Sequence, residues 1–497
     1  MTGLQAAVVG SRDLREQLAL LEAGLEAAQG RIGELELGLV TAQARIAHLE
    51  EENATLRERL GKNSRNSSRP PSTDQPGQRQ QGTQRTKGKR VRGGQAGRVG
   101  KTRQLLPIEQ VDDVVPLLPD DCAYCGASLE DAVACGEPLR HQVTELPPVT
   151  PKVIEYQQHQ LRCPHCRRVT TASLPAEVAP SRFGARLQSI VGLLRGRFRL
   201  SHRDIPELME VLFGVDMGLG TTTGIQRRLT AALDKPYEEA TLHIRGAPCR
   251  HADETGWTEQ HKSRWLWLMA THAVAVFQIQ GGRGKVQAQE LLGTEGGQTV
   301  TDRYAAYHWL PDANHQFCWA HLLRDFQAMI ERGGSSAWYG DRLRSAAGRI
   351  LDAWTDWSSG RLTRAQLLDQ VAQDKARIER FLTLAAAAPA AGKTRRVCAE
   401  ILKHESCLWV FLAHDHVPPT NNLAERLLRH AVLWRKACFG TDSPDGSRFT
   451  ERILTLVASL RLQGRARSTL DTLTEAYLAQ LRGTAHPSLL PVLAATR

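Results

Sequence analysis

The sequence predicts a multidomain α/β protein. Its main folded unit is an α/β core with a helical insertion, preceded by a coiled coil, a disordered basic linker, a cysteine ribbon and a helical module. Three observations carry this reading: a heptad repeat near the amino terminus, two Cys-x-x-Cys pairs, and strand-like runs that alternate with a helix and end near separated acids. At 497 residues the chain is too long for one ordinary core.

Composition bounds the class. A hydrophobic content of 41% supports packed domains. No apolar run approaches the roughly 20 residues that cross a bilayer, and Arg12, Asp13 and Arg15 interrupt the amino terminus where a signal peptide would be apolar. A soluble, cytoplasmic chain without a membrane partner is expected. Its ten cysteines then favour metal binding or burial over disulfides.

Residues 1–61 read as a leucine zipper. Leu14, Leu18, Leu21, Leu25, Ala28, Ile32, Leu35, Leu39, Ala42, Ile46, Leu49, Asn53, Leu56 and Leu60 recur in alternating steps of four and three, with Asn53 on an a position, where a buried amide fixes register. Gly24, Gly30, Gly33 and Gly38 each weaken the helix by about 1 kcal/mol relative to alanine. A single amphipathic helix packed on the rest of the chain is the other reading. Residues 62–104 follow as a linker rich in Gly, Ser, Gln and Pro, which cannot bury a core. Twelve Lys or Arg stand there against the single acid Asp74, a surplus of eleven that equals the net charge of the whole chain. So one-sided a tract suits nucleic-acid phosphate without reading sequence, with Arg85, Lys87, Lys89, Arg90 and Arg92 as its densest cluster.

The region 105–178 contains Cys122-Ala-Tyr-Cys125 and Cys163-Pro-His-Cys166, the ligand set of a zinc ribbon with four thiolates about one structural Zn²⁺. A strand pair is expected over 143–161. Cys135, Cys249, Cys318, Cys398, Cys407 and Cys438 lack such pairing and read as ordinary thiols. Residues 179–240 read as a helical module resembling a helix-turn-helix, with Ser201 capping the second helix and Gly214 to Gly220 ahead of a third. That third helix carries Arg227 and Arg228 as candidate DNA contacts; a packing module is the alternative.

The core is expected over 241–465. A strand over 248–253 ends in Asp253, strands follow over 264–270 and 273–279, then a helix over 285–292 and a strand over 299–302 that ends in Asp302. Three strands, a helix and a fourth strand, with acids on the first and fourth, is the order of the RNase H-like fold. A helical insertion spans about 337–410, a helix over 422–434 carries Glu425, and 466–497 form a helical tail. Carboxylates converging in this way can share two Mg²⁺ or Mn²⁺ ions about 3.5 to 4 Å apart, the chemistry that cuts and joins phosphodiesters. Taken singly, Asp253 and Asp302 also suit strand ends, and Glu425 three residues after Asn422 suits a capping box. Arg435 and Lys436, a helical length beyond Glu425, are further phosphate candidates, or simply a solvated helix end.

The flanking motifs bear on that choice. The chain resembles the DDE-type transposases of the insertion sequence 66 family in Asn63-Ser-Arg-Asn-Ser-Ser-Arg-Pro-Pro-Ser-Thr-Asp74, the four-cysteine ribbon, Asp253-Glu-Thr-Gly-Trp257, Asp302-Arg-Tyr-Ala-Ala-Tyr307, Cys318-Trp-Ala-His-Leu322, Asn421-Asn-Leu-Ala-Glu-Arg426, Arg435-Lys436 and Gly440-Thr-Asp-Ser443. The resemblance implies that Asp253, Asp302 and Glu425 are the metal-binding catalytic triad. It further implies DNA partners (element ends and target), a dimer or larger synaptic assembly, helper proteins of the same element, and action on the bacterial nucleoid. Two other functions fit the same residues: a zinc-ribbon, coiled-coil DNA-binding regulator with an inert RNase H-like domain, and a nuclease that cuts without joining.

Overall fold

The computed structural model describes residues 104–491 except 176–177, 179–180, 295 and 390–391, together with 24–25, 30–31, 35, 38–39, 41–43, 45–46 and 49. Those amino-terminal positions are helical, and Leu25, Leu35, Leu39, Ile46 and Leu49 are exposed along them. The rest of the expected zipper and nearly all of the basic linker, including Arg85, Lys87, Lys89, Arg90 and Arg92, lie outside the described residues. The chain divides into two compact units, one of 84–322, 350–373 and 398–497, the other of 1–83, 323–349 and 374–397.

The cysteine region has one small antiparallel ladder, β1 (Gln160–Arg162) with β2 (Val169–Thr171). The expected strand pair over 143–161 is not formed; 143–159 has no regular secondary structure, and the pair instead brackets the second cysteine knuckle. A short turn brings its own flanks together, whereas the upstream segment is exposed and has no such turn.

Four helices follow: α1 (Ala185–Gly196), α2 (Asp204–Phe213), α3 (Leu219–Ala232) and α4 (Asp234–Arg245). The N-cap of α2 is Arg203, without a side-chain cap, rather than Ser201; Ser201 stands in the turn before it, its hydroxyl accepting from the amide of Asp204 at 3.0 Å while Asp204 accepts from the Ser201 amide at 3.2 Å. α2 ends at Gly214 in the left-handed region (φ 61°), which a side chain would oppose.

The central sheet consists of β3 (Cys249–Glu259), β4 (Lys262–Ala270), β5 (Ala275–Gln280), β6 (Gln298–Thr301) and β7 (His315–Phe317), in the order β5-β4-β3-β6-β7. β3, β4 and β5 form an antiparallel meander, and β6 and β7 run parallel to β3. The β3–β4 hairpin turns on Gln260 and His261, both at positive φ, as a two-residue turn demands. The parallel crossover from β5 to β6 is made by α5 (Lys285–Leu292). β3 continues six residues past Asp253, where the sequence suggests a strand ending at that acid; pairing with β4 carries it on to Glu259.

Both faces of the sheet are buried, and strict alternation sorts β4 between them. Leu266, Leu268 and Ala270 join one core with residues of α1, α2 and α3, of α11 (Asn422–Cys438), α12 (Pro444–Leu462) and α13 (Thr469–Arg482). Trp267 and Met269 join the other, with Ala240 and Ile244 of α4, Leu291 and Leu292 of α5, and Tyr307. Continuous apolar runs of this kind mark strands covered on both sides.

Between β7 and α11 the chain is helical: α6 (Trp319–Glu331), α7 (Gly334–Ser358), α8 (Arg364–Ala387), α9 (Lys393–Lys403) and the short α10 (Val410–Ala413). Within the second unit, Arg349 forks onto Asp374 at 2.8 and 2.6 Å and Trp338 meets Phe381 edge-on at 5.6 Å. Gly340 is required there, since a Cβ would come within 2.7 Å of the Phe326 carbonyl. Among the described residues no helix is long and apolar enough to cross a membrane.

Candidate active site

The sheet brings the two aspartates to the same level. His251 of β3 pairs in parallel register with Val300 of β6, so Asp253, within β3, and Asp302, just past the end of β6, each stand two residues beyond that pair. Asp302 follows the last residue of β6, and its Oδ1 accepts from the amide of Tyr304 at 2.9 Å, an Asx turn that aims the chain away from the sheet.

Glu425 lies in the first turn of α11, and Asn421 fixes that helix against β3. The Asn421 amide donates to the carbonyl of Ala252 at 2.8 Å and its Oδ1 accepts from His251 Nδ1 at 3.0 Å. The N-cap is therefore Asn421, not Asn422, and no side chain caps the helix, because the Asn421 Oδ1 that could accept from it is spent on His251. Burial pushes the His251 imidazole down to about 4 and so keeps it neutral. Further along α11, Arg435 Nη1 donates to Thr255 Oγ1 at 3.1 Å and to the Gly256 carbonyl. His321 of α6 approaches Glu425, Nδ1 to Oε1 at 3.6 Å.

Under the opposite face lies a network that the sequence reading does not contain. Glu254, almost wholly buried, accepts from Arg283 at 2.8 Å and from the Tyr307 hydroxyl at 2.6 Å. The Arg283 guanidinium sits between the rings of Tyr304 (3.9 Å) and Trp265 (4.6 Å), and Tyr304 donates its hydroxyl to the Arg283 carbonyl at 2.8 Å. Glu254, Tyr304 and Tyr307 fall inside the motif blocks around the two aspartates, which is the signal that could have found them. Arg283, in a glycine-rich turn, has none.

The carboxylates feel one another. Burial, then the charges of Glu254 and Asp302 and finally that of Glu425, hold the Asp253 carboxyl well above the ordinary range. Burial and the charge of Asp302 also raise Glu254, against the opposing pull of Tyr307 and Arg283. An oxygen-only set of mutually repelling carboxylates suits a hard divalent cation, so the residues present fit such an ion.

Residues 182–448, more than half of the chain, match the family described as Transposase IS66 family. The chain belongs to the IS66 transposase family. Residues 119–167 match the zinc-finger binding domain of transposase IS66, and 12–104 match a family of unknown function (DUF6444). A search of curated proteins finds no match. This IS66 member is thus a transposase with a zinc finger, and the finger supports structural Zn²⁺ and DNA binding.

The finger's two knuckles are built alike. The Cys122 amide donates to the Ala127 carbonyl at 2.8 Å, and the Gly126 amide donates back to the Cys122 carbonyl at 2.8 Å. Cys163 repeats this with Arg168 O at 2.8 Å and Arg167 N at 2.9 Å, and Gly126 and Arg167 both adopt positive φ. Backbone amides of Tyr124 and Cys125, and of Cys166 and His165, lower the Cys122 and Cys163 thiols toward the thiolate that binds zinc. The two pairs stand as separate knuckles rather than one four-sulfur cluster within 4.8 Å, and the three acids likewise converge without closing to that distance.

Of the other IS66 residues singled out from sequence, Arg227 is exposed and 3.5 Å from Asp445, and Lys436 is exposed. Arg228 instead turns inward, donating to Gln188 Oε1 at 2.7 Å, while Ile225 and Leu229 of the same helix are fully buried.

Proposed function

We propose that this protein binds the ends of an insertion sequence and catalyses metal-dependent DNA strand cleavage and strand transfer. The observation that carries the reading is the placement of Asp253 and Asp302 at one level of adjacent parallel strands, with the Glu425 helix pinned to the same strand through Asn421. The β5-β4-β3-β6-β7 order, antiparallel on one side of β3 and parallel on the other, supports an RNase H-like core.

Asp253, Asp302 and Glu425 would hold two Mg²⁺ or Mn²⁺ ions per site. When bound, such ions lower the pKa of the attacking water and stabilise the leaving 3′ oxygen. Asn421 and the Tyr304 amide keep the carboxylates oriented, so that little reorganisation is needed as charge develops. In the first step a water oxygen bonds to phosphorus and the phosphorus–3′-oxygen bond breaks, leaving a 3′-hydroxyl on the element end. In the second, that hydroxyl bonds to a target phosphorus and a target 3′ oxygen leaves. The first step hydrolyses one phosphodiester, leaving a phosphate terminus beside the 3′-hydroxyl, the second exchanges one phosphodiester for another, and neither needs a nucleotide triphosphate.

The four cysteines hold structural Zn²⁺. The basic tract with Arg85, Lys87, Lys89, Arg90 and Arg92 and the exposed Arg227 and Lys436 contact phosphate, whereas Arg435 braces β3. The exposed leucines of the amino-terminal helix support self-association into a dimer or larger synaptic assembly, as two ends must be joined. The protein acts on the bacterial nucleoid, with helper proteins of the same element as candidate partners. Band-shift and cleavage assays on Asp253→Asn and Glu425→Gln test the assignment. Cleavage should vanish while end binding stays within a few-fold of the parent; lost binding in a folded variant would sink it.

A further inference from the structure

Away from the three acids, a second constellation of ligating groups stands at the end of the helical insertion. One ligand atom each from His308, Glu400 and His404 lies within 4.8 Å of the other two. His308 follows the turn that begins at Asp302, Glu400 belongs to the last turn of α9, and His404 lies four residues on from Glu400. The two imidazole centroids are 4.5 Å apart.

The hydrogen bonds around His404 indicate what the cluster is for. Its Nδ1 is 3.2 Å from Asp312 Oδ1, and since an ionised carboxylate only accepts, Nδ1 carries the proton. The other nitrogen, Nε2, is buried and without a hydrogen-bond partner. Orphaned buried acceptors are costly and rare in folded proteins. A carboxylate that fixes the tautomer of a histidine whose second nitrogen faces further ligands is the outer shell of a metal site. His308 has a comparable tie, a hydrogen bond to the backbone of Arg303. In a second possible grouping, Asp312, His404 and Cys407, the carboxylate already bonds His404 Nδ1 at 3.2 Å and the Cys407 thiol is directed at the Asp312 carbonyl at 3.7 Å.

We propose that His308, Glu400 and His404 form a metal site for a borderline divalent cation, Zn²⁺ by its donors, with Asp312 as the outer-shell partner of His404. Two imidazoles and one carboxylate are a zinc donor set that leaves a fourth position for water. In a tetrahedral site the ligand atoms stand about 3.3 Å apart, within reach of the observed spacing by side-chain rotation. The ion ties the loop that begins at Asp302 to the end of α9. It is separate from the thiolate zinc and independent of the strand-transfer reading.

The test is zinc counting by atomic emission on untagged full-length protein, exchanged into buffer with excess Mg²⁺ so that the acid triad does not hold zinc. About two equivalents per chain are expected, one of them released by an organomercurial that attacks thiolate sites and one resistant to it. His308→Ala and Glu400→Gln should lose the resistant equivalent; Glu400 is exposed, so its variant should fold even where His308→Ala does not. Asp312→Asn should weaken the resistant site by about 10- to 100-fold. No resistant zinc in the parent, as for a cluster held by an ion pair alone, or resistant zinc unchanged in Glu400→Gln, would overturn the proposal.

Discussion

The side-chain amide of Asn421 donates to the carbonyl of Ala252 at 2.8 Å, joining the residue before Asp253 to a residue four ahead of Glu425. Two acids more than 170 positions apart in the chain thus share one rigid joint. Asn421 is fully buried, so it is not a solvated cap but a bolt between β3 and α11.

Removing that bolt should be costly. Asn421→Ala leaves the Ala252 carbonyl and His251 Nδ1 unpaired in the core, a loss of about 1–3 kcal/mol for each buried group left unsatisfied. Thermal denaturation should show the loss, and cleavage by the still-folded fraction should fall as well. Unchanged stability would mean that α11 is held by its apolar face alone.

The network beneath the sheet makes a graded prediction. Tyr307→Phe removes one donor from the buried Glu254 carboxylate and should cost about 1–3 kcal/mol. Arg283→Met leaves that carboxylate without its cation and should cost more, about 3–5 kcal/mol by analogy with broken buried pairs. Denaturant melts of both variants check the order, which would be reversed if Arg283 were merely a surface charge.

Glu451 supplies a pH dependence. Burial raises its carboxyl from 4.5 to about 7 in the folded protein, while its Oε1 accepts from the Ile279 amide at 2.7 Å. A raised folded-state pKa means that the folded state holds the proton more tightly. The contribution to stability is therefore full below pH 4.5 and is lost as pH rises through about 7. Glu451→Gln keeps the acceptor without the charge. Its melting temperature relative to the parent should rise between those two pH values and then level off; a difference independent of pH would contradict this.

The two arginines of α3 should separate cleanly. Arg228→Ala leaves the buried Gln188 short of a donor and should lower stability by about 1 kcal/mol. Arg227→Ala should leave stability within about 0.5 kcal/mol. It should weaken DNA binding uniformly across sequences and reduce the salt slope by about one. Titrations at several salt concentrations, beside thermal melts, distinguish the two.

Much of the core was legible because alternation and run length survive in sequence: the order of strands, the crossover helix 285–292 and the strand before Asp302 follow from them. Boundaries were less so. β3 outruns Asp253 because its partner β4, not its own composition, decides where it stops. The N-cap of α11 falls on Asn421, one residue before the Asn422 that the capping-box spacing suggests, and Asn421 bonds β3 instead of the helix. Arg228 and Arg435 look like free cations in sequence, but Gln188, Thr255 and Gly256 hold them. Glu254 and Arg283, 29 residues apart, and His308 and His404, farther apart still, meet only through the fold, and no local pattern announces such pairs.

The most direct measurement is strand cleavage and transfer by purified protein on labelled DNA carrying the element's own ends, with Mg²⁺ or Mn²⁺, beside Asp302→Asn. Cleaved ends and joined products that require the metal and disappear in the variant are the result predicted. Tight, specific end binding with no metal-dependent product, or products that persist in Asp302→Asn, would contradict it.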